Sequence, residues 1–275
     1  MIDDKKIIKK NFSKISEYYD KYAFLQNKWQ DNLIFSIKSR SRILNLPSAI
    51  LDIGSGTGNL CFKLSKIYPH TKILGIDIAP GMIAYSKKKK EFLKLDNIEF
   101  IEGDAENFVY QKNYFDIVVS NFVFQWIQDY NAVFNSIHQT LKPGGFLFFT
   151  TLVENTLFEL KSSVNEVYKI FNKNNFPEIN FYSIDFFEKL LQNNFFEKIY
   201  LEKFKETLYF QTVIDFLKWL KITGALNVFN NRENSFLIKK ILFEIINTYN
   251  KNFKIDSKIP STFEVIFCVS RSKKI

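Results

Sequence analysis

Short apolar runs alternate with stretches of helical periodicity through the middle of the chain. Leu51 to Ile53 is followed by a segment, Gly58 to Tyr68, in which Leu60, Leu64 and Ile67 recur at helical spacing, and then by Ile73 to Ile76 ending at Asp77. This pattern predicts a β-α-β unit. Pro80 and Gly81 suit a turn into a helix holding Met82, Ile83 and Tyr85, Ile98 to Ile101 reads as a third strand, and Phe115 to Ser120 as a fourth. Phe134, Ile137 and Leu141 share one face of a helix over 131–141, which Lys142-Pro143-Gly144-Gly145 should stop before a fifth strand, Phe146 to Leu152. Five strands alternating with helices predict a doubly wound parallel sheet.

After Leu152 the pattern changes. Ser183 to Asn193 reads as a helix with Phe186, Phe187, Leu190 and Leu191 as its apolar set, and Lys198 to Leu208 and Thr262 to Ser270 read as strands. They bring the expected α/β sheet to seven strands, Rossmann-like and mostly parallel, with the last strand antiparallel. The residues between, 211–260, are helical in pattern, contain Gly224, and read as a cap insertion over the sheet's C-terminal edge, where open α/β sheets bind ligands. Such a cap either selects substrate or only covers the sheet. Residues 1–40, dense in aromatics from Phe12 to Tyr22, read as a helical lid, and 45–155 as a cofactor-binding core, all within one domain.

Composition narrows the class. The chain has 275 residues, 46% of them hydrophobic, enough for a full core. Residues 1–10 lack the apolar stretch of a signal peptide, and no run approaches the 18 or so apolar residues of a membrane span, so a cytoplasmic protein is expected. Cys61 and Cys268 lie far apart in apolar segments and read as buried thiols, with no metal site or disulfide implied. The net charge of +9 suits an acidic partner, nucleic acid or protein, but it is mostly Lys, and the run Lys87 to Lys90 reads as a solvated helix face.

The densest chemistry lies in Leu51-Asp52-Ile53-Gly54-Ser55-Gly56-Thr57-Gly58-Asn59. Glycines at Gly54, Gly56 and Gly58 let the backbone turn tightly and come close to a ligand. A dinucleotide fingerprint would place its third glycine at position 59, where Asn59 stands, and no Gly-Lys-Ser/Thr ending marks a nucleoside triphosphate. The motif therefore points to S-adenosylmethionine, against the plainer reading of a bare strand-to-helix turn. Each part of that cofactor has an apparent answer. Asp77 ends the second strand, placed to accept from both ribose hydroxyls. Asp104 and the backbone of Ala105 are placed to meet the adenine amino group, with Ile78 and Met82 flanking the ring. Asp52 is placed to orient the loop or to pair through water with the methionine ammonium, and Asn121 offers its backbone near the transferred methyl. Any one acid can be a strand-end cap. Acids after strands one, two and three together make chance a poor account.

Residues 45–155 resemble the class I S-adenosylmethionine-dependent methyltransferases, with the family's ribose acid falling on Asp77 and its Gly-Asp-Ala-Glu stretch on Gly103 to Glu106. Three further stretches carry a narrower resemblance. Phe12 to Ala23 with Leu25-Gln26, Ser120 to Trp126, and Phe216 to Ala225 together resemble the malonyl-acyl-carrier-protein O-methyltransferases of biotin synthesis across almost the whole chain, most tellingly around Leu217 to Asn227. Lys142 stands where many relatives have arginine. The resemblance implies methylation of the free carboxyl of a malonyl thioester, held by acyl carrier protein or by CoA, to give the methyl-ester primer for pimeloyl synthesis. A monomer without nucleic-acid or membrane partners is expected.

A malonyl carboxylate is ionised near neutrality, so attack on a sulfonium methyl needs no general base, and His70 and His138 read as structural. Tyr18, Tyr19, Gln125 and Trp126 are candidates for the pocket's walls and hydrogen bonds, Trp126 having plain core packing as its alternative. Lys221, with Lys218 beside it, is a candidate for attracting carboxylate or phosphopantetheine and has a solvated cap face as its alternative. Lys218, Lys221, Lys239 and Lys240 are candidates for docking an acidic carrier. Other readings are a methyltransferase of quinones or other small acids, a cofactor-binding regulator, and a nucleic-acid methyltransferase. The last is disfavoured because Asn121-Phe122-Val123-Phe124 lacks the motif that holds a flipped base.

Overall fold

The computed structural model describes residues 4–40, 46–108, 110–172, 181–223 and 235–273. Three helical pieces come first: α1 (Asp4–Ile15), α2 (Tyr19–Tyr22) and α3 (Phe24–Ser39). The core follows as β1 (Ala49–Ile53), α4 (Asn59–Ile67), β2 (Lys72–Asp77), α5 (Pro80–Leu93), β3 (Ile98–Glu102), β4 (Phe115–Asn121), a 3-10 turn at Phe124–Trp126, α6 (Tyr130–Thr140) and β5 (Leu141–Leu152). The remainder is α7 (Phe158–Ile170), α8 (Ile184–Asn193), β6 (Phe196–Phe210), α9 (Val213–Ile222), α10 (Ser235–Phe253) and β7 (Ile259–Ser272). Gly224 to Asn227, central to the resemblance in the cap, lie outside the described residues.

The seven strands form one sheet in the order β3-β2-β1-β4-β5-β7-β6, mostly parallel with antiparallel last strands. Helices on both faces explain the continuous apolar runs, since a parallel strand covered on both sides has no polar face; β1 is buried at every position. Register aligns the strand ends: Ile53 pairs with Ile76 and Ser120, Asp77 with Glu102, and Asn121 with Thr150. The loops after β1, β2, β3 and β4 therefore emerge along one edge.

The chain divides into two compact units. The first comprises Met1–Thr151, Tyr182–Lys203 and Ile266–Ile275, and the second Leu152–Phe181 and Phe204–Val265. In the second, α10 packs against α7 and α9. Phe216, Tyr249 and Trp219 join Phe210 and Phe263 in an aromatic cluster, and the buried Glu159 accepts from the Thr262 amide at 3.0 Å and its hydroxyl at 2.5 Å.

Most predicted elements lie within a few residues of those observed. β5 differs at its start, because pairing resumes through Lys142-Pro143-Gly144-Gly145 with a register shift between Phe115 and Ile117, and Gly144 takes φ +72° there. That stretch ends α6 and is also the irregular first part of the strand. α7 has no counterpart in the sequence reading. The N-terminal segment, expected as a helical lid, is three helices, broken at Ser16–Tyr18 and at Ala23.

Candidate active site

Two adjoining cavities lie at the strand-end edge of the first unit. The larger, about 760 Å³ with its open mouth included, is bordered by Gly54, Gly56, Asp77, Ile78, Met82, Asp104, Ala105, Asn121 and Trp126, and by Lys5, Ile8, Phe12 and Tyr19 from the N-terminal segment. Its size falls in the range of small-molecule sites. The smaller shares Tyr19, Gly54, Gly56 and Asn121 with it and adds Asp52, Ser55, Thr57 and, from α3, Gln26 and Gln30.

The three glycines of the loop all have positive φ, +71°, +54° and +82°. A Cβ on Gly54 would fall 2.2 Å from Val123 Cγ2, and one on Gly58 would fall 2.6 Å from Phe100 Cζ. A Cβ on Gly56 would meet nothing within 4 Å, because it would point into the cavity. Asp77 holds this loop: the Gly56 amide donates to Oδ2 at 2.9 Å, and the Ala79 amide donates to Oδ1 at 2.8 Å. Burial pushes Asp77 up to about 6 despite these two donors. Asp52, 2% exposed, is pushed up to about 7 by burial, opposed by the Cys61 thiol that donates to it at 3.2 Å and reinforced by the charge of Asp77. Burial and Asp52 together hold the Cys61 thiol well above its ordinary range. Cys268 is likewise buried and reduced.

Asp104 is not free to face a ligand with its whole carboxylate. Lys5 Nζ reaches it at 2.7 Å and Glu106 at 2.9 Å, and the Glu106 amide donates to its other oxygen at 3.0 Å. Burial would raise Asp104, but Lys5 and these donors bring it below the usual carboxylate range. Asn121 is fixed on both sides, donating to the Gln26 carbonyl at 3.0 Å and accepting from Thr150 Oγ1 at 2.6 Å. The next residue, Phe122, borders the cavity with φ +57°, a strained conformation for a non-glycine residue that no sequence signal announces.

Of the four aromatic and amide candidates, the cavity brings together two. Tyr19 borders both cavities, its hydroxyl pushed up by burial and by Asp77 and Asp20. Trp126 borders the larger one, edge-on to Phe12 at 5.8 Å. Tyr18 is instead 58% exposed and borders neither, since it falls in the break between α1 and α2. Gln125 spends its amide on the protein, donating to the Phe122 carbonyl at 2.7 Å and accepting from Thr151 Oγ1 at 2.8 Å, so it braces the turn instead of lining the cavity. Lys221 is exposed on α9 of the second unit, as is Lys218. Neither histidine borders the cavities: His70 is exposed at a turn and His138 packs against Phe195 and Phe196.

Sequence reasoning missed how the N-terminal segment is fastened. Asp20 Oδ1 accepts from Thr57 Oγ1 at 2.5 Å and Asn59 Nδ2 at 2.9 Å, and Lys89 reaches its other oxygen at 2.9 Å. Lys89 also lies 5.2 Å from the Phe62 ring centre, so this member of the lysine run is a half-buried tie and not a solvated charge. Gly81 lets α1 approach α5, since a Cβ there would fall 2.4 Å from the Ser13 carbonyl oxygen. Among the described residues no group of side chains is placed to hold a metal ion, and no helix is long and apolar enough to cross a membrane.

Beside this strand-end glycine loop, open at Gly56, with an acid on the neighbouring strand and a walled cleft, stands a family match: the model of the methyltransferase domain matches residues 47–211. The chain belongs to the methyltransferases. Similar methyltransferases include the malonyl-[acyl-carrier protein] O-methyltransferase of Acetivibrio thermocellus, 34% identical over 98% of this chain and 95% of the relative. Another is malonyl-[acyl-carrier protein] O-methyltransferase 2 of Ilyobacter polytropus, 33% identical over 97% of both. Among solved structures, the YcgJ protein of Bacillus subtilis matches with TM-score 0.62 at 16% identity, over 88% of this methyltransferase and 98% of that chain, a likeness of fold.

Proposed function

We propose that this methyltransferase uses S-adenosylmethionine to methylate the free carboxyl of a malonyl thioester carried by acyl carrier protein, giving the methyl ester. The observation that carries the reading is similarity to enzymes of that name over nearly the whole chain, including α9 and α10, which lie beyond the residues that the domain model matches.

The residues present fit the cofactor. Gly56 leaves room where a side chain would intrude, Asp77 would accept from the ribose diol, and Ile78, Met82 and Ala105 would border the adenine, with Asp104 Oδ1, which already accepts from the Glu106 amide, offering its second lone pair to the adenine amino group. When bound, S-adenosylmethionine supplies an electrophilic methyl on a sulfonium. Asn121, clamped by the Gln26 carbonyl and Thr150, would hold its backbone steady beside that methyl. Phe12, Tyr19 and Trp126 would wall the path of the carboxylate and keep water from it. Because the nucleophile is already an anion, the protein's contribution is alignment, which alone accounts for several orders of magnitude in rate. Gln125 would act through the turn it braces, and Lys221, with Lys218, through attraction of the acidic carrier.

The test is transfer of labelled methyl to malonyl-, succinyl- and acetyl-carrier protein, read by intact-protein mass. Methyl is expected on the carriers with a free carboxyl, fastest on malonyl, and is lost on ester hydrolysis. No methyl on any carrier, from a protein that binds S-adenosylhomocysteine, overturns the reading.

A further inference from the structure

Glu106, which closes the Gly-Asp-Ala-Glu stretch, has no part in the cofactor contacts above, yet it borders the larger cavity with a side chain only 9% exposed. A carboxylate buried to that extent needs partners for both oxygens, and here they come from two separate segments. Oε2 meets Lys5 Nζ of α1 at 2.9 Å, and Oε1 accepts from the Gln128 amide at 2.9 Å. The chain leaves the 3-10 turn at Ile127 in an extended conformation, so the Gln128 amide that follows takes its acceptor from outside the turn. Each partner brings an aromatic wall with it. On α1, Lys5, Ile8 and Phe12 are spaced i, i+3 and i+7, and all three border the cavity. After β4, Trp126 stands two positions before Gln128 and borders it as well. The Phe12 and Trp126 rings meet edge to face, with their centres 5.8 Å apart and their planes at 81°.

We propose that Glu106 is a positioning residue for the methyl acceptor, setting the places of Phe12 and Trp126 from the loop after β3. The proposal rests on the acceptor reading above, in which these rings wall the path of the carboxylate. One oxygen of Glu106 fixes α1 and the other fixes the turn after β4, so the two walls are placed from a common point. Asp104 does not do this, because its hydrogen bonds reach Lys5, Glu106 and Asn107 but no residue of that turn. The residue type matters. Aspartate would be one methylene short of the pair, and glutamine would keep an acceptor for the Gln128 amide while turning an –NH2 toward the Lys5 ammonium. Displacement of a positioning group by about 1 Å costs about a hundredfold in rate, so a carboxylate that takes no part in the bond changes still governs turnover.

The experiment reads three quantities: kcat/KM with malonyl-carrier protein, affinity for S-adenosylhomocysteine by calorimetric titration, and backbone hydrogen exchange over α1 and over residues 124–128. Glu106→Gln is expected to cut kcat/KM about tenfold and to speed exchange in α1 alone. Glu106→Ala is expected to cut it about a hundredfold and to speed exchange in both segments. Both variants should bind S-adenosylhomocysteine within about threefold of wild type, since the loss belongs to the acceptor. Lys5→Arg, which keeps a cation between Asp104 and Glu106, should stay within about threefold of wild type in kcat/KM. Loss of S-adenosylhomocysteine affinity in step with kcat/KM would give Glu106 to cofactor binding and overturn the proposal. Unchanged exchange in both segments of Glu106→Ala, whatever the kinetics, would overturn it as well. Transfer by the wild type to no carrier would instead remove the acceptor reading, and the role given to Glu106 with it.

Discussion

Gly54, Gly56 and Gly58 share a left-handed backbone but differ in what a side chain would strike. At Gly54 and Gly58 the obstacle is protein, Val123 and Phe100, whereas at Gly56 a Cβ would meet only the open space of the cleft. Gly54→Ala combines the backbone strain of about 1–2 kcal/mol with a clash, so its melting temperature should fall by about 5 °C or more. Gly56→Val should lose less stability yet bind S-adenosylhomocysteine at least about a hundredfold more weakly; differential scanning calorimetry and titration separate the two. Asp52 and Asp77 set a pH trend. Both are held above the ordinary carboxylate range, so the folded protein binds protons that the unfolded chain does not. Their stabilising contribution is complete below about pH 4 and is lost as pH rises through 6 to 7. The groups facing Asp52 are Cys61 on α4 and Asp77 on β2, neither of them a cation. The melting temperature of the ligand-free protein should therefore decline between pH 5 and 8, and Asp52→Asn should flatten the decline. Asp77 was legible because its neighbours along the chain determine its place at a strand end. The partner of Asp104 was not, since Lys5 is 99 positions away and only the docking of α1 brings it there.

At the scale of elements, the sheet was readable because burial on both faces leaves strands no choice but apolar runs. α7 escaped notice although Leu160, Val164 and Val167 are spaced for a helix: it begins after Leu157, at φ +61° and without a side-chain cap, so no start signal precedes it. By contrast Ser183 and Thr212 cap α8 and α9 from their side chains. The N-terminal segment is the element whose arrangement depends most on distant partners. Asp20 gathers Thr57, Asn59 and Lys89, which belong to the glycine loop, the start of α4 and α5. Asp20→Ala should release the segment from the loop and raise the dissociation rate of S-adenosylhomocysteine about tenfold, since charge-assisted hydrogen bonds of this kind contribute about 1.5–3 kcal/mol before screening. Stopped-flow displacement measures it, and an unchanged rate would show that the segment does not control exit.

For the whole molecule, charge and chain order matter most. The excess of 9 positive charges suits an acidic carrier, and Lys218, Lys221, Lys239 and Lys240 are exposed in the second unit. Charge reversal at Lys218 and Lys221 should raise KM for malonyl-carrier protein several-fold at low salt, an effect that fades as salt rises, while malonyl-CoA is used as before. Equal effects on both substrates would reject carrier steering. The substrate class was legible only through likeness across the whole chain, because the cleft's own residues describe a cofactor far more sharply than an acceptor. The order of the sheet also bears on how the protein is made. β7 is the last described strand to leave the ribosome, yet its place is between β5 and β6. Until it arrives, β5 is an open edge and β6 lacks its neighbour, so a nascent chain complete through α10 exposes two strands to any other unfinished chain. Synthesis at high rates should therefore lose protein to inclusion bodies, and slower translation at low temperature should recover it.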